Sequence, residues 1–151
     1  MARIEAATHI EAPPARVWQV LIDWEGQARW MQDAEQVEVI SERREGVGVV
    51  IRAKTDLFGL TIDDDMEVTE WEPERVLGVR HLGRIIQGVG AFELVPTSYG
   101  VHFTWWEEVD PPLGPVGELG AQLVVVPLIE RVFRRSLAGL KRVAESRSVR
   151  P

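Results

Sequence analysis

The stretch from Pro115 to Arg147 constrains this chain more than any other. Leu119, Leu123, Val126, Ile129, Val132, Phe133, Leu137, Leu140, Val143 and Ala144 recur at spacings of three and four, which places them on one face of a helix. Arg131, Arg134, Arg135, Lys141 and Arg142 take the opposite face. A helix with a single apolar stripe needs an apolar partner, and no other segment of comparable length repeats the pattern. Most of the chain before it alternates with a period of two, so the expected partner is a sheet. Pro127 lacks a backbone donor and costs about 3 kcal/mol inside a regular helix. It either bends the helix around a curved sheet or marks its true start. The segment Gly114–Pro127, loosened by Gly117 and Gly120, is then either a bent helical entry or a movable gate.

Upstream, Ile4, Ala6, Thr8 and Ile10 alternate with Arg3, Glu5, His9 and Glu11, the pattern of a half-buried strand. Pro13 and Pro14 end it and open a short helix with Val17, Trp18, Val20 and Leu21 on its apolar side. Asp23 is expected to cap a second short helix running through Trp24 to about Met31. Strands are then predicted near 35–43, 47–56, 60–71, 75–82, 85–95 and 100–109, divided by turn residues such as Glu45-Gly46, Glu72-Pro73-Glu74 and Leu82-Gly83. Asp110-Pro111-Pro112 separates this meander from the long helix. The reading is an α+β fold: two short helices after the first strand, then an antiparallel sheet curved around one C-terminal helix. The whole of 1–151 reads as a single domain.

Composition removes several functions. The chain has no Cys, hence no disulfide or thiol chemistry, and a cytoplasmic location is the expectation. A net charge of −7 argues against general nucleic-acid affinity. No apolar run approaches the roughly 20 residues of a membrane span, and the N-terminus has no signal-peptide pattern. Residues 128–151 carry seven Lys/Arg against two Glu. Cations suit a helix C-terminus, while a docking surface for an acidic partner is the lesser alternative. His9, His81 and His102 show no metal-binding spacing, and no nucleophile elbow, phosphate loop or dinucleotide fingerprint occurs. Neither a metal nor a cofactor is expected.

The run Thr8-His9-Ile10-Glu11-Ala12-Pro13-Pro14-Ala15-Arg16-Val17-Trp18, with Leu21, Asp23 and Trp30 after it, resembles the N-terminal signature of the START-like (SRPBCC) superfamily. Within it, the bacterial polyketide cyclase/dehydrase-type group is most similar. Gly90-Ala91-Phe92-Glu93-Leu94 and Val101-His102-Phe103-Thr104-Trp105 resemble that group's last two strands. The resemblance spans essentially the full chain and implies the helix-grip fold, a seven-stranded sheet around the C-terminal helix with a cavity between. It extends to lipid carriers, polyketide cyclases, quinone-binding proteins and co-chaperone-like proteins, so the shared fold leaves function open.

Alternation nominates the residues that face such a cavity. Leu60, Ile62, Asp64, Met66 and Val68 share one side of their strand, with Asp63, Asp65, Glu67 and Thr69 on the other. A carboxylate in an apolar row is costly unless paired or protonated, which makes Asp64 the leading polar candidate. The alternative is a local twist that turns the whole Asp63–Asp65 run outward. Val49, Ile51, Ala53, Thr55, Phe92, Leu94, Val101, Phe103, Trp105 and Glu107 are further inward candidates. Gly88 and Gly90 have the parity of Phe92 and either leave empty space or let the strand bend. The neighbouring strand offers either Arg80 or His81 inward. Trp30 with Met31 could line a pocket mouth, and Trp105 could form a wall or stack on a flat ligand. Leu123 and Pro127 represent the helix. The expected ligand site is Trp30, Met31, Ile51, Asp64, Met66, His81, Gly88, Phe92, Trp105, Leu123 and Pro127.

The function expected from these residues is binding of a hydrophobic or aromatic small molecule that is lipid-, quinone- or polyketide-like. The first alternative is a cyclase/aromatase- or dehydratase-like enzyme on the same cavity, with Asp64, Arg80, His81 or Glu107 as its acid or base. The second is a co-chaperone-like interaction module. A homodimer is left open.

Overall fold

The computed structural model describes residues 2–57, 59–110 and 126–146. Period-two alternation builds seven strands: β1 (Ala2–Ile10), β2 (Ala34–Val39), β3 (Val50–Leu57), β4 (Leu60–Glu72), β5 (Val76–His81), β6 (Gly88–Thr97) and β7 (Gly100–Val109). They form one antiparallel sheet in the order β1-β7-β6-β5-β4-β3-β2. The first strand thus pairs with the last, Ala2 opposite Val109 and Ile10 opposite Val101. A register shift between Val68 and Glu70 of β4, facing β5, is a bulge that adds local twist and bend.

Pro14 opens α1 (Pro14–Ile22), where a missing N–H costs nothing. Val17, Trp18, Val20 and Leu21 are its buried side, as the spacing predicts. The second short helix is a single 3-10 segment, Glu25–Arg29, and the residue that leads into it is Trp24, not Asp23. Asp23 instead closes α1, and its carboxylate occupies the space where a Cβ on Gly26 would stand. Trp24 is held in the core by its indole N–H, which donates to the Arg44 carbonyl at 2.9 Å.

The C-terminal helix α2 (Val126–Glu145) lies across β1 and α1. Phe133, Leu137, Leu140 and Ala144 are buried while Arg131, Arg134, Arg135 and Arg142 are on the other side, so the apolar stripe does face the sheet. Gly139 makes the closest approach: a Cβ there would stand 3.0 Å from the Trp30 carbonyl oxygen. Arg16 donates to the carbonyls of Val143 and Ala144 at 3.2 and 3.4 Å, satisfying acceptors that a helix end leaves unpaired. Pro127 is the second residue of the described helix and is exposed. Leu119, Leu123 and the gate segment before Val126 lie outside the described residues.

Candidate functional site

Strand register explains how the site is assembled. Residues directly opposite in an antiparallel pair share a face, so rows can be followed across the concave side. One row runs Ile51–Met66–His81–Gly88–Val109–Ala2. The next runs Val68–Val79–Gly90–Glu107–Ile4. A third runs Trp71–Leu77–Phe92–Trp105–Ala6. Asp64 sits on β4 two residues from Met66, on the same face, opposite Ala53.

Three polar side chains meet in these rows. The His81 Nδ1 lies 2.9 Å from Asp64 Oδ1, and its Nε2 lies 2.9 Å from Glu107 Oε1. Glu107 Oε2 also accepts the Trp105 indole N–H at 3.2 Å. His81 is on β5 and Glu107 on β7, two strands and thus about 9–10 Å of backbone apart. They touch because β6 carries Gly88 and Gly90 between them. A Cβ on Gly90 would stand 2.7 Å from Glu107 Cγ, so the missing side chain is the space that the Glu107 stem occupies. Gly88 has φ +137° and a Cβ there would stand 2.0 Å from the Glu108 carbonyl oxygen. The glycines therefore do not leave an empty cavity: one admits Glu107, the other lets β6 and β7 approach in a backbone conformation closed to L side chains.

A neutral imidazole has one N–H, yet both His81 ring nitrogens face carboxylate oxygens. Burial opposes charge on the ring, but the hydrogen bonds and negative charges of Asp64 and Glu107 outweigh it and carry the His81 pKa up to about 10. His81 is 7% exposed, so this is an imidazolium held inside the protein. The Asp64 pKa is raised by its burial, against the lowering effect of His81. Asp33, in the connection from the 3-10 helix to β2, is pushed up to about 6, first by burial and then by the charges of Glu107, Asp64 and Asp56. Its half-buried carboxylate has no cationic partner among the described residues.

Aromatic rings adjoin this polar row. Trp105 stacks on Phe133 of α2 with centroids 3.6 Å apart and planes 5° from parallel. Phe92 lies 5.4 Å from Trp105 and 5.9 Å from Trp30. Trp30 is 1% exposed and its indole N–H has no hydrogen-bond partner among the described residues. The core is dense at Val49, Val68, Val101 and Phe103. Met31, Met66, Val109 and Ile129 are packed against the core yet only partly buried, while Asp64 and His81 are buried among them.

The structure places the expected site residues as follows. Asp64 faces inward, and the outward alternative holds only for its neighbours: Asp65 takes Arg52 at 2.8 Å and Asp63 lies 3.6 Å from Lys54. His81 faces inward while Arg80 pairs with Glu67 at 2.7 Å on the outer face. Ile51, Phe92 and Trp105 are buried on the concave side, and Met66 shares that face but is only partly buried. Trp30 is 1% exposed, and Gly139 lets α2 settle onto its backbone. One face of Trp105 is already covered by Phe133, so it does not offer that face to a flat ligand. Pro127 is exposed, and Leu123 lies outside the described residues. Asp33 was not anticipated, since it belongs to an irregular connection with no period to read. Among the described residues no group of three or more His, Asp or Glu is placed to hold a metal ion, and no helix is long and apolar enough to cross a membrane.

A family model described as polyketide cyclase/dehydrase and lipid transport matches residues 1–145. The chain belongs to that family. The fold agrees with solved structures at low identity. TTHA0849 from Thermus thermophilus is 21% identical, with 98% of this chain and 100% of that one covered at a TM-score of 0.83. The Zhui aromatase/cyclase from Streptomyces sp. R1128 is 22% identical, with 98% and 96% covered at 0.80. The Aha1 dimer from Colwellia psychrerythraea is 16% identical, with 99% and 100% covered at 0.69. No curated protein matches. In this member of the polyketide cyclase/dehydrase and lipid transport family, then, the helix-grip fold is shared with these structures, and the interior carries the Asp64–His81–Glu107 row.

Proposed function

We propose that the protein binds a hydrophobic or aromatic small molecule, lipid-, quinone- or polyketide-like, between the sheet and α2. The observation that carries this is the hydrogen-bonded Asp64–His81–Glu107 row buried beside an aromatic wall on the concave face. Stability alone gives little reason for it. Buried ion pairs often contribute less than well-packed apolar residues of the same volume, and perturbed titratable groups in a recess concentrate at functional sites. An apolar wall with a few convergent polar groups is the usual form of a small-molecule site.

The test is uptake of the neutral hydrophobic dye Nile red. One saturable site per chain is expected, and it should be lost in Met66→Trp, which fills the space beside His81. Non-saturable binding, or equal saturable uptake by a folded Met66→Trp, contradicts the placement.

A second reading, a cyclase/aromatase- or dehydratase-like enzyme, is favoured by one observation. His81 holds a proton beside Asp64, whose basicity is raised by burial, and ring closure with loss of water needs a proton donor and a base together. Similarity to an aromatase/cyclase at 22% identity supports the container and leaves the reaction to experiment. Incubation with a linear poly-β-ketone and mass analysis for loss of water separates catalysis from binding.

A further inference from the structure

We infer that this site takes an uncharged ligand bearing a hydroxyl group and excludes ligands that present a carboxylate. The inference rests on the binding reading above and narrows it, setting fatty acids and other anionic lipids apart from hydroxylated aromatics.

The charged groups facing the site come from four elements. Asp33 enters from the connection before β2, Asp64 from β4, His81 from β5 and Glu107 from β7. The side chains of α2 that turn inward, Phe133, Ser136, Leu137 and Leu140, carry no charge, and its arginines 131, 134 and 135 lie off that face. The cations of β3 and β5 are committed outward, Arg52 to Asp65, Lys54 to Asp63 and Arg80 to Glu67. The chain from 111 to 125 contains Glu118 and no Lys, Arg or His, so it has no cation to add. Asp64 and Glu107 thus bracket one imidazolium, with Asp33 within reach of their charge, and both N–H groups of that imidazolium are already taken. A ligand carboxylate would meet a negative field in a poorly solvated place with no free cation among the described residues.

A hydroxyl group fits what remains. It can donate to a carboxylate and can also accept. The unpaired indole N–H of Trp30 is an independent sign of a missing acceptor. Trp30 lies inside the molecule, its backbone against Gly139 of α2 and its ring 5.9 Å from that of Phe92 on β6. A buried polar group without a partner is uncommon and asks for one. The flat rings of Trp30, Phe92 and Trp105 favour an aromatic carrier for the hydroxyl.

Three probes of nearly one shape test this by calorimetric titration at pH 7.5: 2-naphthol, 2-methoxynaphthalene and 2-naphthoate. The expected order is naphthol first, methoxynaphthalene about 10-fold weaker for the lost donor, and naphthoate weaker than naphthol by about 100-fold or more. In Asp33→Asn the naphthoate penalty, measured against methoxynaphthalene in the same variant, should shrink by about 10-fold. Naphthoate binding as tightly as naphthol overturns the inference and leaves the binding reading intact. Equal binding of naphthol and methoxynaphthalene overturns the role of the hydroxyl. Binding of none of the three overturns the binding reading and this inference with it.

Discussion

The charge on His81 makes a stability prediction whose sign and size follow from the site. The ordinary histidine pKa of 6.5 stands for the unfolded chain, and the folded value is about 10. Between those two values the native protein holds a proton that the unfolded chain has released, so raising the pH favours unfolding. The contribution is fully present below pH 6.5 and lost as the pH rises through 10. At about 1.36 kcal/mol per pH unit the whole interval is worth about 5 kcal/mol. Between about pH 6.5, where the unfolded ring is half protonated, and pH 9.5, where the folded ring is still mostly protonated, the fall is about 3–4 kcal/mol. Urea unfolding followed by tryptophan emission at several pH values measures this directly. His81→Gln has no proton to lose in that window and should be less stable at the acid end, with a much flatter profile. A wild-type profile as flat as that of His81→Gln would refute the reasoning, because the ring would then be neutral in the folded protein.

Other consequences follow from the same geometry. Asp33 is raised from 3.8 to about 6, so its contribution is present below pH 3.8 and lost as the pH rises through 6; ionised Asp33 is unfavourable at neutral pH. Asp33→Asn should therefore stabilise the protein at pH 7.5 by about 1 kcal/mol after discounting for its partial exposure, and an unchanged urea midpoint would count against it. Gly90→Ala places a methyl group 2.7 Å from Glu107 Cγ; displacing Glu107 should lower the His81 pKa, read by NMR titration of the imidazole, and cost about 1–3 kcal/mol. Phe133→Ala removes the ring stacked 3.6 Å from Trp105 and should destabilise by about 3–5 kcal/mol in urea. The milder Phe133→Leu should keep the fold and uncover Trp105, raising uptake of a flat aromatic probe.

Much of this fold is written in periods that can be read without coordinates. Spacing of three and four identifies the α2 stripe, and alternation identifies the strands and assigns Asp64 to the concave side. Register turns such assignments into a site, and it is set by pairing between distant segments. Neither residue's local pattern says that His81 on β5 reaches Glu107 on β7. The available signal was Gly88 and Gly90 at inward parity on the strand between them, which marks room for a neighbour's side chain as readily as an empty cavity. Phe133 on Trp105 and Gly139 on Trp30 are packing events across layers, which periodicity does not encode. Asp23 suits a helix cap by residue type, whereas the chain turns through Trp24 and folds the Asp23 carboxylate over Gly26. Asp33 lies in a connection, where no repeat distinguishes an inward carboxylate from a solvated one.

The central claim is that the space between sheet and helix holds a small hydrophobic molecule, and native mass spectrometry of the protein purified from the cells that make it tests this most directly. The account predicts one adduct per chain, released by organic solvent, hydrophobic and without a carboxylate, and absent from Met66→Trp produced in the same cells. A chain that is bare in the spectrum and takes up no Nile red would contradict it, and would make the Asp64–His81–Glu107 row a structural feature of a closed core.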